Sequence, residues 1–148
     1  MTYKANRWSR QWILLVSLVL EMASIPALGG VAVIVNPDNA TVSMTASQVK
    51  AIFLKKTKKF PDGDSATPID QEEHSEIYTQ FAKKVLSKDA AQLKSYWSLE
   101  IFSGRGSPPE QLDGDEQVKA QISSLIHAIG YIDSDSVDDS VKVVFRVD

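Results

Sequence analysis

The run Val31–Val35, VAVIV, sets five apolar and mostly β-branched residues side by side without alternation. A strand covered on both faces reads this way. Asn36-Pro37-Asp38-Asn39 closes it with turn residues. The apolar spacing then changes to the helical period. Thr45 stands as an N-cap with Gln48 three positions on, which makes a capping box, and Met44 and Val49 fit a hydrophobic staple. Val49, Ile52 and Phe53 supply an i, i+3, i+4 face. This helix runs into Lys55, Lys56, Lys58 and Lys59, and Pro61-Asp62-Gly63 turns the chain. Cations at a helix C-terminus complement its dipole, which is reason enough for the lysines. A positive collar for an anion or a partner is the sharper alternative.

Thr67 to Asp70 predicts a short strand. A second helix opens between Glu72 and Ser75, with Ile77, Phe81 and Val85 repeating at helical spacing and Tyr78, Ala82 and Leu86 beside them. Asp89, with Gln92 at N3, caps a third helix that turns Leu93, Tyr96 and Trp97 to one side. Phe102 to Pro109, FSGRGSPP, is loop, since two glycines and two prolines interrupt it. A fourth helix starts near Asp115, with Val118, Ile122 and either Leu125 or Ile126 inward. Ile129 to Asp133 is a strand and Ser134 to Ser140 a polar turn. Val141, Val143, Phe145 and Val147 alternate with Lys142 and Arg146, which predicts a final half-buried strand. About four strands interleaved with about four helices give an α/β fold rather than a sandwich.

The N-terminus carries a different signal. Lys4, Arg7 and Arg10 precede the apolar run Trp12 to Leu20, and Ala27-Leu28-Gly29 places small residues where a signal peptidase cuts. Residues 1–29 therefore read as a secretory signal peptide and 30–148 as one domain. A transmembrane anchor is the competing reading, but a span needs roughly 20 apolar residues and Glu21 ends this run early. Removing 29 of the 148 residues leaves 119, enough for one modest core. Three of the 16 Lys and Arg and one of the 19 Asp and Glu leave with it, so the remainder carries a net charge of about −5. That balance argues against nucleic acid as a partner. There is no cysteine, hence neither a disulfide nor a thiol to lipidate. Export without a lipid anchor points to a soluble compartment, most simply a bacterial periplasm.

Five segments in order, VAVIVNPDN, AIFLKKTKKFPDG, TPID, FSGRGSPP and HAIGYID, resemble the small, single-lobe relatives of phosphate-binding proteins of ABC transporters, in the type 2 periplasmic binding protein superfamily. The resemblance covers essentially all of residues 30–148. It implies one lobe with helices flanking a mixed sheet, a periplasmic address, and a phosphate or other oxyanion as ligand. An ABC transporter or another membrane component would be the partner. Full-length members close two lobes on the anion; this chain is short for both, and the opening segment that supplies first-lobe contacts has no counterpart here.

The second anion-binding segment of the family carries an Arg after a strand and then a Ser-Gly-Thr-like turn that opens a helix. Helix N–H groups and hydroxyls donate to the anion while the Arg neutralises it. Here Gln71 stands near the Arg position, Ser75 matches the serine, and Glu76 and Ile77 replace the glycine and threonine; His74 lies between. Asp70, Glu72, Glu73 and Glu76 crowd the same turn. At about 6 Å each carboxylate repels a phosphate charge by roughly 0.7 kcal/mol in water and about 3 kcal/mol at an effective dielectric of 20. Tight phosphate binding is not expected there.

Gly104-Arg105-Gly106-Ser107 is the other oxyanion candidate, either as a nest of successive N–H groups beside a bidentate Arg or as a plain connecting loop. If an oxyanion binds, it is expected where this loop meets the start of the Ser75 helix. His74 and His127 lack metal-ligand spacing, no cofactor is implied, and no activated nucleophile is apparent. Two functions follow. One is a non-enzymatic periplasmic binding-protein homologue with weak oxyanion affinity. The other is an interaction module that has kept the fold, lost the ligand, and docks to a membrane or periplasmic partner.

Overall fold

A computed structural model describes residues 29–148. The signal-peptide assignment, with Lys4, Arg7, Arg10 and the run Trp12 to Leu20, lies outside the described residues. Among those described, no helix is long and apolar enough to cross a membrane.

Strand β1 (Val31–Val35) is fully buried along its length. The reason is its position inside a five-stranded mixed sheet of order β3-β2-β4-β1-β5. The partners are β2 (Thr67–Gln71), β3 (Glu110–Leu112), β4 (Ala128–Asp133) and β5 (Lys142–Val147). β2 runs parallel to β3 and β4, while β1 is antiparallel to β4 and β5. Val31, Val33 and Val35 face one apolar layer; Ala32 and Ile34 face another. Period-2 geometry thus divides one strand between two cores.

The larger layer holds helices α1 (Ala46–Phe53), α2 (Glu76–Phe81, continued by a π-helical turn Ala82–Leu86) and α3 (Ala90–Phe102). Phe81 stacks on Tyr131 with ring centroids 3.8 Å apart, and Phe53 meets Phe81 edge-on at 4.7 Å. The smaller layer holds α4 (Gly114–Ser124). α4 approaches β4 at Gly130, where an added Cβ would lie 2.9 Å from Val118 Cγ1; only glycine permits that contact. Asn36 Nδ2 donates to Ile122 O and Ser123 O, and Asn39 Nδ2 donates to Ile126 O at 2.8 Å. The turn after β1 therefore satisfies the carbonyls left open at the end of α4.

Both capping boxes form. Thr45 and Gln48 exchange side-chain to backbone bonds at the start of α1, as do Asp89 and Gln92 at the start of α3. Three details differ from the sequence expectation. The sheet has a fifth strand, β3, with mostly exposed side chains, held by backbone pairing to β2. α4 ends at Ser124, so Leu125 and Ile126 are both exposed instead of one of them pointing inward. In β5, Val143 opposes Ile34 and Phe145 opposes Val33, so Val144 is an extra residue. This bulge breaks the expected alternation. Val141 and Val143 pack with the α4 layer, Val144 enters the larger layer, and Phe145 is only half-buried.

Candidate functional site

The parallel strands β2, β3 and β4 end together, and the loops after β2 and β3 start α2 and α4 at that same carboxyl edge. In open α/β sheets this edge is where ligands usually sit. Gln71, the last residue of β2, is 1 % exposed. Its Nε2 donates to Asp115 Oδ1 at 2.7 Å and to the Tyr131 carbonyl at 3.1 Å. Both amide hydrogens of Gln71 are thus occupied. Asp115 Oδ2 in turn accepts from Asp133 N at 3.2 Å.

Ser75 is the N-cap of α2. Its Oγ accepts from Tyr78 N at 3.2 Å and donates to Glu72 O at 2.8 Å. Gln71 and Ser75 line a depression of about 580 Å³ together with Glu76, Asp113, Asp115, Glu116 and Asp133. Five carboxylates around the starts of α2 and α4 and the end of β4 make this surface repel a dianion. His74 is exposed beside it.

Next to Gln71, Asp70 Oδ1 accepts from the Tyr131 hydroxyl and from Gln71 N. Burial raises the Asp70 carboxyl to about 6, against the lowering effect of these two bonds. Asp70 also borders a cleft of about 280 Å³ with Glu73, Tyr78, Lys94 and Trp97. Burial, then Asp70 and Glu73, push the Tyr78 hydroxyl up to about 12.

The 104–107 loop lies elsewhere. Gly104 N donates to Ile101 O, and Arg105 N and Gly106 N donate to Glu100 O. These three N–H groups close the end of α3, so the loop presents side chains and no nest. Arg105 Nε and one terminal nitrogen bond Glu100 Oε1 at 3.1 and 2.8 Å, and this raises the guanidinium pKa. Arg105, Gly106 and Ser107 line a depression of about 470 Å³ with Lys55, Thr57, Lys58, Ser65 and the first residues of β2. That is the opposite end of β2 from Gln71. The two candidate segments therefore line separate depressions, and the expected convergence is replaced by one acidic and one basic surface.

The sequence displays Asp70 and the lysine run but not what surrounds them. Asp70 inside an apolar-flanked strand, TPIDQ, was the available hint of a buried carboxylate. Among the described residues, no group of three or more His, Cys, Asp or Glu is arranged to hold a metal.

The sheet is mixed, carries helices on both faces and leaves its carboxyl edge open. Solved phosphate ABC transporter substrate-binding proteins share this fold over 78 % of the chain. A protein from Clostridium perfringens assigned as a phosphate ABC transporter substrate-binding protein, solved with phosphate bound, superposes with a TM-score of 0.60 at 24 % identity. An ABC-type phosphate transport receptor from Vibrio cholerae gives 0.52 at 19 %, and PstS from Borrelia burgdorferi gives 0.58 at 12 %. The match takes in 44, 45 and 46 % of those three chains respectively, so this chain spans somewhat less than half their length. No family model matches the sequence, and no curated protein does.

Proposed function

We propose that this chain is an exported, non-enzymatic homologue of phosphate ABC transporter substrate-binding proteins that binds phosphate or a similar oxyanion weakly. It works in the periplasm beside an ABC transporter or another membrane partner. The fold shared with phosphate-transport receptors supports the ligand class. The observation that carries the weakness is Gln71. Its buried amide is occupied by Asp115 and the Tyr131 carbonyl, where the family pattern has a free cation. Isothermal calorimetry with phosphate and sulfate tests the reading. Saturable binding with a Kd of roughly 1 mM, about −4 kcal/mol, is expected. Micromolar or tighter binding overturns it.

A second reading has its own observation. Leu99, Ile101 and Phe102 are exposed at the end of α3, Phe102 at 91 %. Exposed apolar groups of this kind suit a docking contact, and they adjoin the 103–109 loop. An interaction module without a small ligand takes the lead if calorimetry finds no binding of any oxyanion.

A further inference from the structure

Lys55 and Lys58 face the same depression as Arg105, and no carboxylate lines it. Three cations thus share a surface with four hydroxyl-bearing residues, Thr57, Ser65, Thr67 and Ser107. Local backbone bonds fix the frame. Lys55 has φ +54° and ends α1, with Lys55 N on Ile52 O at 2.9 Å and Lys56 N on Ala51 O at 2.8 Å. Ala66 N donates to Lys58 O at 2.9 Å and Lys59 bridges Ser65, which seats Lys58 beside the strand start. Lys55 Nζ reaches Pro108 O at 3.4 Å, so the lysine end and the 104–108 loop touch.

Among the described residues, neither Lys55 nor Lys58 has an acidic partner within ion-pair distance. The burial of Lys55, followed by the proximity of Lys58, lowers the Lys55 pKa. Like charges held together in this way gain most from a multivalent anion. Two of the five Arg105 donors rest on Glu100, which leaves the others open.

We infer that the depression formed by Lys55, Lys58, Arg105 and Ser107 is a binding site for a phosphorylated small ligand, a diphosphate or phosphomonoester. The inference rests on the reading of weak oxyanion affinity and assigns that affinity to the end of β2 away from Gln71. At about 470 Å³ the depression falls in the range of small organic ligand sites. Lysine and arginine together supply a point charge and a fork for phosphate oxygens.

The test is pyrophosphate titration at low ionic strength, by calorimetry and by amide chemical-shift mapping. Lys58→Ala and Arg105→Ala should each weaken binding about tenfold, near 1.4 kcal/mol. Lys58→Glu with Arg105→Glu should abolish it, and Glu76→Gly should leave it unchanged. Shifts should concentrate at 55–58, 65–67 and 105–107. Vesicles of phosphatidylcholine doped with phosphatidate locate the phosphate: Lys58-dependent cosedimentation assigns it to a lipid headgroup, and pyrophosphate binding without cosedimentation to a soluble ligand. Either result supports the site. Measurable binding that ignores Lys58 and Arg105, or shifts confined to 71–77, overturns this inference while the weak-affinity reading stands. Tight phosphate binding that responds to Glu76 overturns that reading as well. Absence of any saturable binding also overturns both, and calorimetry separates it from the other two.

Discussion

The Tyr131 hydroxyl donates to the Asp70 carboxylate between adjacent strands β4 and β2, at a point where both side chains are buried. The same hydroxyl accepts from Gln71 N at 3.3 Å, and the Tyr131 ring lies flat on Phe81. One residue therefore joins the aromatic core to the polar carboxyl edge. Burial, then the charge of Asp70, raises the Tyr131 pKa well above its ordinary value, so the phenol remains the donor.

Asp70 makes stability depend on pH in a stated direction. The folded chain keeps the proton up to about 6, whereas the free carboxyl releases it near 3.8. Between those values the folded state binds more protons than the unfolded state, so stability falls as pH rises and levels off above about 6. The loss is on the order of 3 kcal/mol. Asp70→Asn keeps an oxygen to accept from Tyr131 and Gln71 and removes the titration. Urea unfolding should show the variant gaining on the parent between pH 4 and pH 6.5. A constant difference between them would mean that Asp70 does not titrate in this window.

The core makes a sharper contrast between two phenylalanines. Phe81 is 1 % exposed and sits between Phe53 and Tyr131. Phe81→Ala should cost on the order of 3–5 kcal/mol through the cavity it leaves. Phe145 is half-buried on an edge strand because of the bulge at Val144, and Phe145→Ala should cost under about 2 kcal/mol. Denaturant midpoints decide the matter. Equal losses would contradict the bulge, and a Phe81 loss under about 1 kcal/mol would contradict the packing of α2.

Signals that act within a few residues were legible in the sequence. Thr45 with Gln48 and Asp89 with Gln92 each close a box three positions long. Val31–Val35 announced a doubly covered strand because its burial leaves no polar position. What escaped depends on distant partners. β3 is three residues with a single apolar side chain, Leu112, and is held by pairing with β2. The bulge at Val144 is set by Val33 and Ile34, more than a hundred positions earlier. At the site, Gln71 was visible as the residue standing near an expected Arg. Its occupied state was not, since Asp115 lies 44 positions away and Tyr131 60. The glycines of 104–106 suggested a nest until their N–H groups were seen to close α3.

Processing provides a prediction independent of ligand. The start of the described domain is tied down: Gly29 N donates to Asp133 Oδ1 at 3.2 Å, and Ser134 N donates to Gly30 O at 3.0 Å. A cut after Gly29 would remove the first of these contacts and keep the second, leaving the domain from Gly30 on intact. Mass spectrometry of osmotic-shock fluid should find a chain beginning within a few residues of Gly30. Recovery of intact residues 1–29 on cytoplasmic material would end the periplasmic assignment.

An arginine at position 71 should not by itself confer phosphate binding. Gln71→Arg places a guanidinium where the amide now meets Asp115 at 2.7 Å. The nearest anion is therefore internal, and Asp115 would neutralise the new charge before phosphate arrives. Glu76, Asp113, Glu116 and Asp133 would still line the depression. The single variant should bind phosphate within threefold of the parent, by calorimetry at low salt. Combining Gln71→Arg with Asp115→Asn and Glu76→Gly frees the guanidinium and removes two of the five carboxylates. A charge-assisted bond of about 1.5–3 kcal/mol then becomes available, which is at least about tenfold in Kd. Thermal melts must first show that both variants are folded. A large gain from Gln71→Arg alone would mean that Asp115 does not hold the residue at 71, and the account of weak binding through an occupied Gln71 would fall with it.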